Sequence, residues 1–195
     1  MLTWAIKNST GDLEVKVTKL FHDVCLIKTS KFKDDRGYFS EVFNLEEIRK
    51  IGIKNNFIQD NLSFSKNKGT IRGLHFQKEP FAQAKLLRVL SGKIQDVFID
   101  IRKESEKFEQ YSSIILTPDD GWIYIPKGYA HGFCTLTDNV EILYKVDNYY
   151  SKKNDSGIIW NDSFFNISWD LNNVSPIISN KDNRLAKWIE IKKTL

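Results

Sequence analysis

Few residues in this chain are suited to acid–base chemistry, and they are not evenly spread. The 195 residues include three histidines, His22, His75 and His131. Histidine titrates closest to neutral pH, so it is the first candidate for a general base. His22 lies between two strand patterns in Lys19-Leu-Phe-His-Asp-Val24, has no motif beside it, and reads as structural. His75 lies in Thr70-Ile-Arg-Gly-Leu-His-Phe-Gln77, and Lys85 follows after the turn at Pro80. Strand alternation would send Leu74 and Phe76 to one layer and His75 with Gln77 to the other. A histidine that abstracts a proton also needs a partner to hold its tautomer. His131 lies in a dense aromatic and glycine segment, Gly121-Trp-Ile-Tyr-Ile-Pro-Lys-Gly-Tyr-Ala-His-Gly-Phe133.

The elements that position these residues read mostly as short strands. Apolar and polar residues alternate over 13–20, 24–29, 57–65 and 96–102, with further strand patterns at 84–90, 93–99, 111–117, 122–126 and 141–146. Turn-forming clusters separate them at 66–69, 118–121, 126–128 and 152–157. Ser91-Gly92 predicts a hairpin between 84–90 and 93–99. Helices are few. Asn44-Leu-Glu-Glu47 has the form of a capping box, with Leu45, Ile48 and Ile51 at helical spacing and Gly52 as a stop. A second short helix is expected over 184–192. About ten short strands divided by turns predict an all-β sandwich or jelly roll with small helices. No helical pattern alternates with the strands, which argues against a parallel α/β fold.

Composition narrows the function classes. Apolar residues make up 41%, aromatics 13% and charged residues 28%, a mixture that folds rather than stays disordered. Apolar runs extend only a few residues, far short of the about 20 that a membrane helix needs, and no secretory signal pattern opens the chain. Cys25 and Cys134 show no metal or redox spacing, which predicts a reduced, cytoplasmic protein. The net charge is +4 with scattered basic residues, so a nucleic-acid tail is not indicated, whereas an anionic small molecule such as a nucleotide or sugar phosphate is compatible.

The Pro126-Lys-Gly-x-x-His131 spacing resembles the second sequence motif of the cupin superfamily. Most metal-binding cupins carry His-x-His followed by Glu in the earlier motif, where this chain has His75-Phe-Gln-Lys-Glu79. The second histidine is missing. Two histidines with Gln77 leave a metal-dependent oxygenase or isomerase as one alternative. A cupin-type sugar-binding protein without catalysis is another.

A longer series of motifs points elsewhere. In order, the chain contains Asp34-Asp-Arg-Gly-Tyr-Phe-Ser-Glu-Val-Phe43, Gln59-Asp-Asn-Leu-Ser-Phe-Ser65, Arg72-Gly-Leu-His-Phe-Gln77 and Gln83-Ala-Lys-Leu86. It continues with Gly92-Lys-Ile-Gln-Asp-Val-Phe-Ile-Asp-Ile-Arg102, Ile125-Pro-Lys-Gly-Tyr-Ala-His-Gly-Phe133, Leu143-Tyr-Lys-Val-Asp-Asn-Tyr-Tyr150, Gly157-Ile-Ile-Trp-Asn-Asp162 and Ile178-Ser-Asn-Lys-Asp182. From about residue 17 to residue 183 the chain resembles the dTDP-4-dehydrorhamnose 3,5-epimerase family. That resemblance implies a single cupin-type jelly-roll domain over 1–195, with residues 184–195 as a tail. It implies a homodimer with exchanged N-terminal strands, no metal or organic cofactor, and a role in making dTDP-L-rhamnose for the cell surface. Relatives that invert one centre, or act on other dTDP-4-keto sugars, remain the alternative within the family.

The reaction accounts for the residue types. A ketone at C4 of a hexose acidifies the hydrogens at C3 and C5, so inversion needs a base on one face, an acid on the other and a positive donor for the oxyanion. By resemblance, His75 is the base, Asp182 the carboxylate that orients it, Tyr144 the opposing acid and Lys85 the cation beside the C4 oxygen. Arg72 has the guanidinium fork that suits a pyrophosphate. Arg36, Phe39 and Glu41 resemble nucleotide contacts given by a neighbouring subunit. Gln59, Asn61 and Lys181 resemble further nucleotide contacts, and His131 and Tyr150 resemble residues lining the sugar pocket. The chain departs from the family pattern in its first ~16 residues, in Asp170 after Trp169 where proline is usual, and in a slightly long turn over 66–70.

Overall fold

A computed structural model describes residues 2–7 and 14–195. The strands in chain order are β1 (Thr3–Lys7), β2 (Glu14–Phe21), β3 (Val24–Thr29), β4 (Phe32–Asp34) and β5 (Gly37–Phe39), followed by helix α1 (Leu45–Lys50). Next come β6 (Gln59–Ser65), β7 (Thr70–Gln77), β8 (Lys85–Ser91), β9 (Ile94–Asp100), β10 (Tyr111–Leu116), β11 (Trp122–Ile125), β12 (Tyr129–Thr135) and β13 (Val140–Val146). β14 (Asp155–Gly157), β15 (Ile177–Ile178) and α2 (Trp188–Ile191) close the chain.

Two layers result. One sheet runs β1-β2-β3-β11-β8-β13-β6, the other β10-β9-β12-β7-β14, with β15 parallel to β7. Leu87 and Val89 of β8, Ile123 of β11 and Ile142 of β13 pack against Ile94 and Phe98 of β9 and Phe133 of β12, which fills the space between the sheets. Both outer faces are also covered. Trp188 and Ile191 of α2 lie with Phe165 on Leu74, Phe76 and Ile99, so the C-terminal residues fold back onto the second sheet. Ile48 of α1 and Ile53 cover Ile27, Leu86 and Trp122 on the first. Burial on both faces is why β9 and β12 are buried along their whole length. The expected all-β jelly roll is therefore observed.

The Ser91-Gly92 hairpin does not form. β8 pairs with β11 and β13, whereas β9 pairs with β10 and β12, so residues 91–92 turn a corner from one sheet to the other. Gly92 adopts φ +80°, and a Cβ there would meet Val140 Cγ2 at 2.7 Å. A corner and a hairpin share the same turn chemistry and the same alternating flanks, so pattern alone does not separate them. α1 starts where expected: the Asn44 side chain accepts from the backbone N–H groups of Glu46 and Glu47. The helix expected over 184–192 is reduced to α2 between two 3-10 turns. β1, outside the family resemblance, pairs with the outer edge of β2. The part of the 13–20 strand pattern at residue 13 falls outside the described residues. Among the described residues no helix is long and apolar enough to cross a membrane.

Candidate active site

A cleft of about 370 Å³ opens between the two sheets. Neighbouring strands of the second sheet place His75 directly opposite His131 across β7 and β12. The first sheet supplies Lys85 from β8 and Tyr144 from β13, which are also neighbours. His75 and Tyr144 thus line the same cleft from opposing layers. Arg72, Tyr150, Lys181 and Asp182 line it as well.

Alternation alone would keep Arg72 and His75, three residues apart, on opposite faces. The β7–β12 register shifts: His75 faces His131, but Arg72 faces Phe133, so three steps on β7 match two on β12. The irregularity turns both side chains to the cleft. Gly73 makes it possible, with φ +128° and a would-be Cβ only 2.6 Å from Gly132 Cα. Arg72 Nε donates to Ser65 Oγ at 3.0 Å and its Nη2 to the Phe64 carbonyl at 2.9 Å.

His75 Nε2 lies 2.8 Å from Asp182 Oδ1, while Asp182 Oδ2 accepts from the Gly73 N–H at 3.2 Å. Burial pushes the Asp182 carboxyl up, but the His75 hydrogen bond and charge, the Gly73 N–H and Lys181 outweigh it and hold the group below the usual carboxylate range. A buried, ionised carboxylate fixes the imidazole ring and stabilises it once protonated. His131 makes a second such pair, Nε2 to Asp96 Oδ1 at 2.8 Å, with Asp96 fully buried. Burial lowers the His131 pKa first of all, Lys85 and His75 lower it further, and Asp96 opposes them.

Lys85 forms no ion pair among the described residues; its Nζ has one long contact, 3.5 Å, to the His75 carbonyl. Burial lowers its pKa from the ordinary 10.5 to about 8, against the attraction of Asp96 and Asp155. Burial raises the Tyr144 pKa, with Arg72 opposing, so the phenol keeps its proton at neutral pH. No hydrogen bond engages that hydroxyl among the described residues. The Tyr150 hydroxyl, by contrast, donates to Asp155 Oδ2 at 3.1 Å.

Five expected residues lie outside the cleft of their own chain. β4 and β5 form a separate two-stranded hairpin carrying Arg36 and Phe39. Arg36 pairs with Asp34, Phe39 is 71% exposed, and Glu41 accepts from Asn44 Nδ2. Gln59 and Asn61 share a hydrogen bond on β6, where Asn61 stands opposite Tyr144. They alternate in phase with Ser63, which does line the cleft, but do not line it themselves. Sequence reasoning missed Asp96 and Asp155. Asp96 carried a signal, an acidic residue inside an apolar strand. Asp155 sat in a turn cluster and carried none.

The donor set fits a metal poorly. Both imidazole Nε2 atoms are turned to carboxylates. Gln77 spends its amide on loops: its Nε2 donates to the Phe81 and Tyr149 carbonyls, and its Oε1 accepts from the Ser151 N–H. Neither cysteine suits nucleophilic work, since burial raises the thiols of Cys25 and Cys134 to about 12 and about 11.

Comparison with known proteins gives one consistent picture. The profile of the dTDP-4-dehydrorhamnose 3,5-epimerase family matches residues 18–190. A relative of that name from Shigella flexneri is 42% identical over 170 residues, covering 86% of this chain and 92% of its own. The crystal structure of the Bacillus anthracis dTDP-4-dehydrorhamnose 3,5-epimerase with TDP and PPi bound superposes with TM-score 0.80 at 42% identity, covering 95% of this chain and 99% of that one. The Legionella pneumophila dTDP-6-deoxy-D-glucose-3,5-epimerase in complex with dTDP-4-keto-L-rhamnose is 32% identical with TM-score 0.77, covering 95% and 93%.

Proposed function

The chain belongs to the dTDP-4-dehydrorhamnose 3,5-epimerase family, and from that premise we propose that it converts dTDP-4-dehydro-6-deoxy-D-glucose to dTDP-4-dehydro-L-rhamnose. The observation that carries this reading is the placement of His75, on one sheet and paired with Asp182 of the adjoining 3-10 turn, across one cleft from the unengaged Tyr144 hydroxyl on the other sheet, with Lys85 in the same cleft. With the sugar between the sheets, His75 removes the proton from C3 or C5. The electrons move into the C4 carbonyl, and the Lys85 ammonium stabilises the resulting oxyanion. Tyr144 returns a proton to the carbon from the opposite face, which inverts it. His75 then gives up its proton and Tyr144 regains one by exchange with solvent, and the cycle repeats at the second carbon. No electrons leave the sugar, so the chemistry asks for no redox group and no cofactor.

Arg72 and Lys181 offer positive charge to the nucleotide phosphates, and His131 and Tyr150 bound the sugar. Arg36, Phe39 and Glu41 lie outside their own cleft and suit a contribution in trans, Phe39 stacking on thymine and Glu41 accepting from its ring N–H. That calls for a homodimer, in which the N-terminal strands meet the partner's sheet and cover an exposed edge. We place this single-domain activity in the cytoplasm, in supply of a cell-surface sugar. The test is incubation with the substrate in deuterated water. Deuterium at both C3 and C5 is expected. Deuterium at one carbon would make the protein a single-centre epimerase, and none at either would remove the proposal.

A further inference from the structure

The reaction as described gives no part to Asp155, yet its carboxylate sits at the cleft and touches two of the residues that bound it. We propose that Asp155 is a positioning residue: it fixes the Tyr150 hydroxyl and holds Lys181 until the phosphates of the nucleotide take the lysine away. The inference rests on the reading of the cleft as a nucleotide-sugar site.

One oxygen does both jobs. Asp155 Oδ2 lies 2.5 Å from Lys181 Nζ and accepts from the Tyr150 hydroxyl at 3.1 Å. Asp155 is held by its strand. β14 pairs it with Gln77 of β7, and its backbone N–H donates to the Ser151 carbonyl. Its side chain is 15% exposed, against 58% for Lys181, so the carboxylate is the anchor and the lysine the movable partner. Gln77 completes the frame. Its amide grips Tyr149 and Ser151, the two neighbours of Tyr150, while Asp155 grips the ring's far end. Tyr150 is therefore fixed from both ends of the side chain.

The charges make the device directional. A phosphate entering beside Lys181 is attracted by the lysine and repelled by Asp155. Once the lysine moves to the phosphate, Asp155 retains Tyr150. The carboxylate thus weakens nucleotide binding in the ground state and the transition state alike, while it keeps a side chain in place for turnover. Burial and the Asp155 hydrogen bond both raise the Tyr150 pKa, in keeping with a phenol that stays protonated on a carboxylate.

The test compares the wild type with Asp155→Asn, Asp155→Ala, Lys181→Met and Tyr150→Phe, and combines Lys181→Met with Asp155→Asn and Tyr150→Phe with Asp155→Ala. The measurements are dTDP affinity by calorimetry at low and high salt, and kcat and KM from deuterium incorporation. Asp155→Asn should bind dTDP roughly two- to five-fold more tightly at low salt, the range an exposed ion pair is worth. That gain should shrink at high salt and vanish when Lys181 is Met. Asp155→Ala, which removes the acceptor that asparagine keeps, should lower kcat about ten-fold or more through misplacement of Tyr150, and Tyr150→Phe should add little to that loss. Unchanged or weaker dTDP binding by Asp155→Asn, or fully additive losses when Asp155→Ala is combined with Tyr150→Phe, would overturn the proposal. Wild-type protein that neither binds dTDP nor exchanges deuterium would instead remove the nucleotide-sugar reading beneath it.

Discussion

Lys85 offers the sharpest test, because its proposed catalytic use and its thermodynamic cost have opposite signs. The ammonium must be charged to stabilise an oxyanion, yet burial brings its pKa from 10.5 to about 8. At pH 9 only about one molecule in ten would keep the charge, and each further pH unit removes another factor of about ten. Wild-type kcat/KM should therefore bend downward near pH 8 with unit slope. Lys85→Arg keeps a cation at all these pH values, so it should lose absolute rate through misplaced geometry but lose the bend as well.

Stability runs the other way. A lysine whose folded pKa lies below its unfolded one binds fewer protons when folded, so the cost of holding it charged is fully present below pH 8. That cost is relieved as pH rises from about 8 to 10.5. The gap corresponds to on the order of 3 kcal/mol at pH 7. Lys85→Met keeps the length and apolar stem and removes the charge. It should raise Tm at pH 7 by several degrees, at about 2–4 °C per kcal/mol for a chain of this size, and the gain should disappear by pH 10.5. Activity should fall by on the order of 10²–10³-fold, the usual loss for one oxyanion donor. Thermal scans and initial rates across pH 6–10 decide it. A Lys85→Met protein less stable than wild type at pH 7, or a wild-type profile flat through pH 9, would refute the reasoning.

His75→Ala should abolish both deuterium exchange and inversion, with a loss of about 10²–10⁴-fold. Tyr144→Phe should spare same-face exchange while inversion falls; equal inversion by wild type and Tyr144→Phe would shift the acid to Tyr150. Arg102 binds Asp100, Asp23 and the Tyr129 hydroxyl together, so Arg102→Met should cost about 3 kcal/mol by denaturant titration, at the low end for a broken buried pair because Asp23 is 41% exposed. Burial raises the Asp23 and Asp100 carboxyls, but their bonds to Arg102 prevail and hold both low. Their contribution is therefore present above the ordinary carboxylate pKa and is lost as pH falls through the folded values, and Arg102→Met should flatten that acid limb. Mixing Phe39→Ala protein with His75→Ala protein should restore up to a quarter of the sites if Phe39 acts in trans; no recovery after subunit exchange counts against the dimer reading.

Strand positions were legible because alternation records which face is buried, and that local pattern survives in any sheet. Pairing was not. Ser91-Gly92 looked the same whether it closed a hairpin or turned a corner, because the choice depends on the core that Leu87, Val89, Ile94 and Phe98 build together from distant strands. β1 escaped for a related reason: Thr3–Lys7 has five residues, of which only Ile6 is even half-buried, so it carries almost no burial pattern. β14 and β15 are held by β7 rather than by their own sequence, and two or three residues contain no period to read.

The proposed catalytic set was legible only through its resemblance to a family, and the physical reason lies in where its members come from. His75 and Asp182 are 107 residues apart and meet because a 3-10 turn packs beside β7. Nothing local to Ser179-Asn-Lys-Asp182 distinguishes a solvated carboxylate from a buried one. Tyr144 faces the cleft because β13 lies beside β8, and it opposes His75 because those strands and β7 belong to different layers. That opposition is what a stereochemical inversion requires. An acid and a base on one strand, or on neighbours in one sheet, would reach the same face of a sugar and return the proton where it came from. A two-layered sandwich with a ligand between its sheets places one group on each side, so under the proposed mechanism the architecture itself sets the stereochemistry and the side chains supply the proton transfers.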